Sequence, residues 1–177
     1  MAQPGESMRP QDREFADFFE RWEPQVNRYL IWLEGDPSLI DDATQETMIS
    51  AHRYWRRLQS LENVRAWLFK IARQRLSEAR RARIRHGLST APHELPEQRD
   101  DAHDALALRV DQLAILEAVR KLPPRQATAM ALQLQYDCPL HEIADIMEIT
   151  TGSVKTHLHH ARANLETLLA DVDGGAR

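Results

Sequence analysis

The chain has 177 residues, 42% hydrophobic and 28% charged, with a net charge of −4. That is the size of one ordinary domain or two small ones, and no apolar run approaches the roughly 20 residues that span a bilayer. A single cysteine, Cys138, excludes an internal disulfide framework and fits a reducing cytosol. The opening MAQPGESMRPQDREF is polar and lacks the apolar core of a signal peptide.

Phe15, Phe18, Phe19, Trp22, Val26, Tyr29, Leu30 and Leu33 recur at spacings of three and four, which predicts a first helix with one apolar stripe. Pro24 is the place for a kink, and Gly35 ends the helix. Asp36-Pro37 reads as N-cap and first residue of a second helix, running to about Leu58 and burying Leu39, Ile40, Ala43, Thr47, Ala51 and Tyr54 or Trp55. After SLEN, with Asn63 as cap, a third helix runs from Val64 to about His86. Three amphipathic helices in a row make a small bundle over 1–86.

Over 87–105 the periodicity dissolves into prolines, small residues and acids, the composition of a flexible acidic linker. A second helical domain is predicted over 106–177. Leu113, Leu116, Val119 and Leu122 line its first helix, Pro123-Pro124 breaks it, and Arg125 to Gln135 forms the next. Leu140 to Met147 and Thr151 to about Leu169 complete the set, joined only by Glu148-Ile149-Thr150. No stretch alternates as a strand would, so the fold class is all-α: two small helical domains and a linker.

Charge is segregated along this layout. Residues 1–49 hold eleven acids and four bases, −7; residues 50–90 hold eleven bases and two acids, +9. A basic block inside an acidic protein is either a solvated helix face or a polyanion surface.

Advancing 100° per residue along the third helix gathers Val64, Trp67, Leu68, Ile71, Ala72 and Ala79 on one side. Phe69, Lys70, Arg73, Ser77, Arg80 and Arg81 fall on the other. Such a face suits phosphates, and an exposed aromatic would let an unpaired base stack. Two readings of Phe69 stand: it faces outward for stacking, or it tucks into the bundle while the bases stay solvated.

On the last helix Val154, Leu158, Ala161 and Leu165 share a narrow core-facing sector. Ser153, Thr156, His159, His160 and Ala163 then point outward, with Lys155 and Arg162 at one edge. Two short helices joined by three residues, the second polar and basic outside, form a helix-turn-helix whose second helix enters the major groove. Lys155 and Arg162 reach phosphates or guanine, while Ser153 and Thr156 permit close approach. His157 and His160 are one turn apart, yet no acid or cysteine on this helix completes a metal site. No Gly-rich phosphate loop and no nucleophile with an oriented base is visible, so neither catalytic residues, a metal nor a cofactor is expected.

IDDATQETMISAHRYW followed by NVRAWLFKIARQRLSEARRAR resembles the first conserved domain of extracytoplasmic-function sigma factors. LEAVRKLPPRQATAMALQLQYDCPLHEIADIMEITTGSVKTHLHHARANL resembles their second, and the likeness covers roughly residues 12–170 in order. It implies a protein of the cytoplasm that binds core RNA polymerase and promoter DNA and is held in check by an anti-sigma factor. Asp42, Gln45 and Glu46 match the helix that docks on the polymerase. The loop of Ser60, Leu61, Glu62 and Asn63 matches the segment that captures a flipped base of the minus-ten element. The start of the third helix, with Arg65, and its basic face match the surface that melts and holds that element. Lys155, Thr156, His159 and His160 fall on minus-thirty-five contacting positions.

The chain departs from the pattern in three places. The capture loop lacks glycines, Glu148 stands at a turn position where glycine is common, and His159 and His160 replace larger or fully charged residues. Two other readings compete. A sigma-like decoy that sequesters an anti-sigma factor would have little need for the basic faces. A simple helix-turn-helix regulator leaves residues 1–86 without a purpose.

Overall fold

The computed structural model describes residues 9–85 and 110–174, and every regular element among them is a helix. In chain order these are α1 (Pro10–Leu33), α2 (Pro37–Arg53), α3 (Trp55–Leu58) and α4 (Val64–Arg85). Then follow α5 (Val110–Arg120), α6 (Pro124–Tyr136), α7 (Leu140–Met147) and α8 (Thr151–Gly174). The expected linker, 87–105, lies outside the described residues.

The starts and stops follow the expected chemistry. Asp36 caps α2, its carboxylate accepting from the amides of Ser38 (2.9 Å) and Leu39 (3.4 Å), with Pro37 as the first helical residue. Asn63 does the same for α4 through Ala66, at 2.9 Å. The helix α1 continues unbroken through Pro24. One expected helix becomes two: α2 ends at Arg53, Tyr54 turns (φ −103°, ψ 21°), and α3 restarts. The restart brings the Trp55 ring edge-on to Phe15 (5.3 Å) and Phe18 (5.0 Å) and buries Leu58. Tyr54 stays exposed.

The first helix group closes on Val26, Tyr29 and Leu30 of α1, Ile40 and Ala43 of α2, and Leu68 and Ala72 of α4. The second closes on Val119 of α5, Ala129 and Leu132 of α6, Ile143 and Ile146 of α7, and the α8 sector Val154, Leu158, Ala161 and Leu165. Each fully buried aliphatic contributes about 1.5–3 kcal/mol relative to exposure. Two stripe members are corrections: Phe19 and Leu113 are 42% and 45% exposed, Phe19 lining an open groove with Met48 and Ile49 of α2, and Leu113 lying at the edge of its stripe in the first turn of α5.

The two groups pack directly on each other, α1 against α5 and α6, α4 against α7. Tyr136, the last residue of α6, is the wedge between them. Its ring meets Phe69 edge-on (4.7 Å, 62°), and its hydroxyl donates to the Gln25 carbonyl at 2.9 Å. Arg120 of α5 donates to the Ile31 carbonyl at 2.8 Å, placing a cation near the negative end of α1.

Candidate nucleic-acid interface

On α2, Asp42, Gln45 and Glu46 all face solvent. Behind them lies a groove of about 590 Å³ with Phe15, Phe19, Met48 and Ile49 in its lining. Ile49 is 43% exposed, so the acidic surface carries an apolar floor that the charge pattern alone does not reveal. Partial burial, with Asp41 nearby, pushes the Glu23 carboxyl in this groove up.

The loop after α3 is held by its own side chains. Ser60 donates to the Arg57 carbonyl at 2.8 Å, and Asn63 is committed to its cap. Ser60, Glu62 and Asn63 are exposed and Leu61 half-buried. Leu61, Glu62 and Asn63 border a cleft of about 420 Å³ shared with Trp22, Trp55 and Arg65. A cleft with aromatic walls and a cation at its rim has the shape and chemistry to receive an unpaired base.

On α4 the expected single basic face divides into three environments. Phe69 is a correction: it is fully buried, stacked on Tyr29 (4.5 Å, 14°) with Tyr136 against its edge, and offers no surface to a base. The wheel misplaced it because α4 is covered on two sides, by the first bundle and by α6–α7, so its buried arc is wider than one stripe. Arg65, Lys70 and Arg73 all turn toward α7. Arg65 makes two hydrogen bonds to Glu142, 2.8 and 2.6 Å, and this pair holds the Glu142 carboxyl below its usual range. Lys70 lies 2.7 Å from Glu148, and Arg73 lies 3.7 Å from the same carboxylate while donating to the Ile146 carbonyl. Arg80 is turned back on the first bundle, binding Glu34 at 2.7 Å and the Leu33 carbonyl. Ser77 is half-buried, and Arg81 is exposed with no ion pair among the described residues.

The reading face of α8 stays open. Lys155, Thr156, His159 and His160 are exposed and Ser153 is half-buried. Thr150 starts the helix, its hydroxyl accepting from the Ser153 amide at 3.1 Å. The Thr156 hydroxyl donates to the Gly152 carbonyl, and Arg162 donates to Gln133 at 2.8 Å, so both are oriented. The His159 and His160 rings lie 5.7 Å apart. Among the described residues no three His, Cys, Asp or Glu side chains gather as a metal site would require.

Sequence reasoning missed two features. Exposed Arg53, Tyr54, Arg56 and Arg57 border a further cleft of about 500 Å³; the run RYWRR carried the signal, but α3 turns it out of the expected helix. Glu142, Glu148 and Tyr136 bind the first helix group, which one-dimensional spacing does not encode.

Two family models match the chain, Sigma-70 region 2 over residues 18–86 and Sigma-70 region 4 over residues 112–165. The chain is 30% identical over 148 residues to the ECF RNA polymerase sigma factor SigL of Mycobacterium tuberculosis, covering 82% of each. It is 25% identical over 164 residues to the RNA polymerase sigma-E factor of Streptomyces coelicolor, covering 93% of this chain and 90% of that one. Its fold is similar to that of the sigma factor RpoE in a co-crystal with the anti-sigma factor NepR from Bartonella quintana. That match has TM-score 0.70 and 20% identity, covering 89% of this chain and 98% of that one. CnrH, solved with the cytosolic domain of CnrY, is also similar at TM-score 0.61 and 18% identity, covering 90% and 89%. No described helix is long and apolar enough to cross a membrane. With both sigma regions matched in order and a relative aligned across most of its length, the chain belongs to the ECF RNA polymerase sigma factors, which direct promoter recognition.

Proposed function

We propose that the chain divides the sigma-factor task between residues 1–86 and 106–177, joined by the linker 87–105. Asp42, Gln45 and Glu46, with the apolar groove beside them, dock on core RNA polymerase. The cleft at Leu61, Glu62 and Asn63 takes an unpaired base of the minus-ten element, while Arg65, Lys70, Arg73 and Arg81 neutralise its phosphates. Lys155, Thr156, His159 and His160 read the minus-thirty-five duplex from the major groove, with Ser153 and Arg162 at the margins. The protein acts in the cytoplasm by binding, without catalysis. RpoE and CnrH are seen with an anti-sigma factor and with the cytosolic domain of CnrY; a partner of that kind is proposed for this chain as well.

The observation that carries this reading is the coexistence of an exposed helix-turn-helix reading face with a separate, aromatic-walled cleft beside a cationic helix. A duplex-binding regulator has use for the first only. A decoy has use for neither. In vitro transcription with core polymerase and a promoter library tests it: the expected result is start-site selection tied to two spaced elements. Failure of the pure protein to direct any start site rejects the reading. Asp42→Ala with Glu46→Ala weakens core binding while leaving free-protein duplex affinity unchanged.

A further inference from the structure

Glu148 occupies the turn between α7 and α8 in the left-handed region, φ 57° and ψ 44°. A side chain there is strained where glycine would not be. Strain retained at a specific side chain points to something that side chain does. Its carboxylate faces α4 across the junction of the two helix groups. Lys70 lies 2.7 Å away, the Gln74 amide donates at 3.3 Å, and Arg73 lies at 3.7 Å. Arg73 also donates to the Ile146 carbonyl, so the carboxyl end of α7 as a whole meets the cations of α4.

We propose that Glu148 is a phosphate mimic built into the chain: in the free protein it occupies Lys70 and Arg73, and promoter strand must displace it to use them. This rests on the assignment of α4 to the minus-ten strand. The two acids that face α4, Glu142 of α7 and Glu148 in the turn after it, have different duties. Glu142 is buried, its side chain 5% exposed, and holds Arg65 from inside the contact. Glu148 is half-exposed, 50%, so its pairs are screened by salt and open to exchange with a polyanion. The closure is also selective. It covers Lys70 and Arg73 but leaves Lys155, Thr156, His159 and His160 of α8 exposed. The closed chain keeps its duplex-reading face while withholding its strand-holding face, so that unpaired DNA is held only after the two groups part.

The test uses the full chain without polymerase and a fluorescein-labelled oligo-dT single strand, read by anisotropy at low salt. Glu148→Gly suits the left-handed turn and removes the carboxylate. If the closed form holds about 80–90% of molecules, freeing it tightens apparent binding about 5- to 10-fold. The radius of gyration from X-ray scattering rises in the same variant. Asp145→Asn removes an equal charge from an exposed position of α7 outside the contact and leaves both readings unchanged. Equal affinity and equal size for wild type and Glu148→Gly overturn the proposal, as does a gain of the same size in Asp145→Asn, which would be general charge removal. Transcription with core polymerase separates the two failures: wild type that selects start sites keeps the sigma-factor reading even when Glu148→Gly changes nothing.

Discussion

Arg65 of α4 and Glu142 of α7, 77 positions apart in the sequence, are joined by two parallel hydrogen bonds of 2.8 and 2.6 Å. The side chain of Glu142 is 5% exposed and that of Arg65 32%. A bidentate guanidinium–carboxylate pair has demanding geometry, and its partners are not interchangeable with other charges.

Arg65→Ala strands the Glu142 carboxylate in a buried place. Full burial of both partners would cost about 3–5 kcal/mol, and the partial exposure of Arg65 reduces this to about 1–3 kcal/mol. Glu142→Gln keeps shape and removes charge, costing about 1 kcal/mol. Urea unfolding followed by circular dichroism ranks the two. Equal losses would mean that packing, not an abandoned charge, is what the pair supplies.

Closure weakens in acid, not near neutrality. Arg65, then Asn63, hold Glu142 below its ordinary 4.5, and Lys70 does the same for Glu148. A carboxyl depressed in the closed state binds its proton more readily once released. Its contribution is therefore complete above pH 4.5 and is lost as pH falls through the depressed value. X-ray scattering should show constant size from about pH 7 to 5 and expansion only below the ordinary carboxylate value of 4.5, as the depressed carboxyls take up protons. Expansion already between about pH 7 and 6 would mean that these two carboxylates are not what holds the closed form.

Lys155 is exposed on the first turns of α8. Lys155→Ala should weaken duplex binding at every sequence and lower the slope of log K against log salt by about 1, the signature of one phosphate contact. An unchanged slope removes Lys155 from the interface.

Arg80 and Arg83 behave as structural cations despite lying in the basic block. Arg80 holds Glu34 and the end of α1; Arg83 pairs with the α2 cap Asp36 and, at 3.3 Å, with Ser38. Burial raises the Asp36 carboxyl, but the Arg83 hydrogen bond and the capped amides override it and leave it below 3.8. Asp36→Ala should cost about 1 kcal/mol, the value of an N-cap, and Arg80→Ala a similar amount. Thermal melts measure both. A loss of oligo-dT affinity in Arg80→Ala without loss of stability would return Arg80 to the strand-holding face.

Much of the helix layout was legible because caps and apolar periods are local. Asp36, Asn63 and the α8 sector Val154, Leu158, Ala161 and Leu165 sit as their neighbours in sequence predict. Phe69 was not legible. Whether an aromatic at the edge of a stripe faces water depends on what covers its helix, and Tyr136 comes from the other helix group to do so.

By itself the sequence determined which residues form helices, which carry charge, and in what order two sigma regions follow each other, since these depend on contacts within a few residues. Tertiary structure alone decided that Lys70 and Arg73 meet Glu148, that Arg65 meets Glu142, and that Arg80 serves the first bundle. A cation binds the nearest well-placed carboxylate in space, and that distance exists only once α4 and α7 have been brought together.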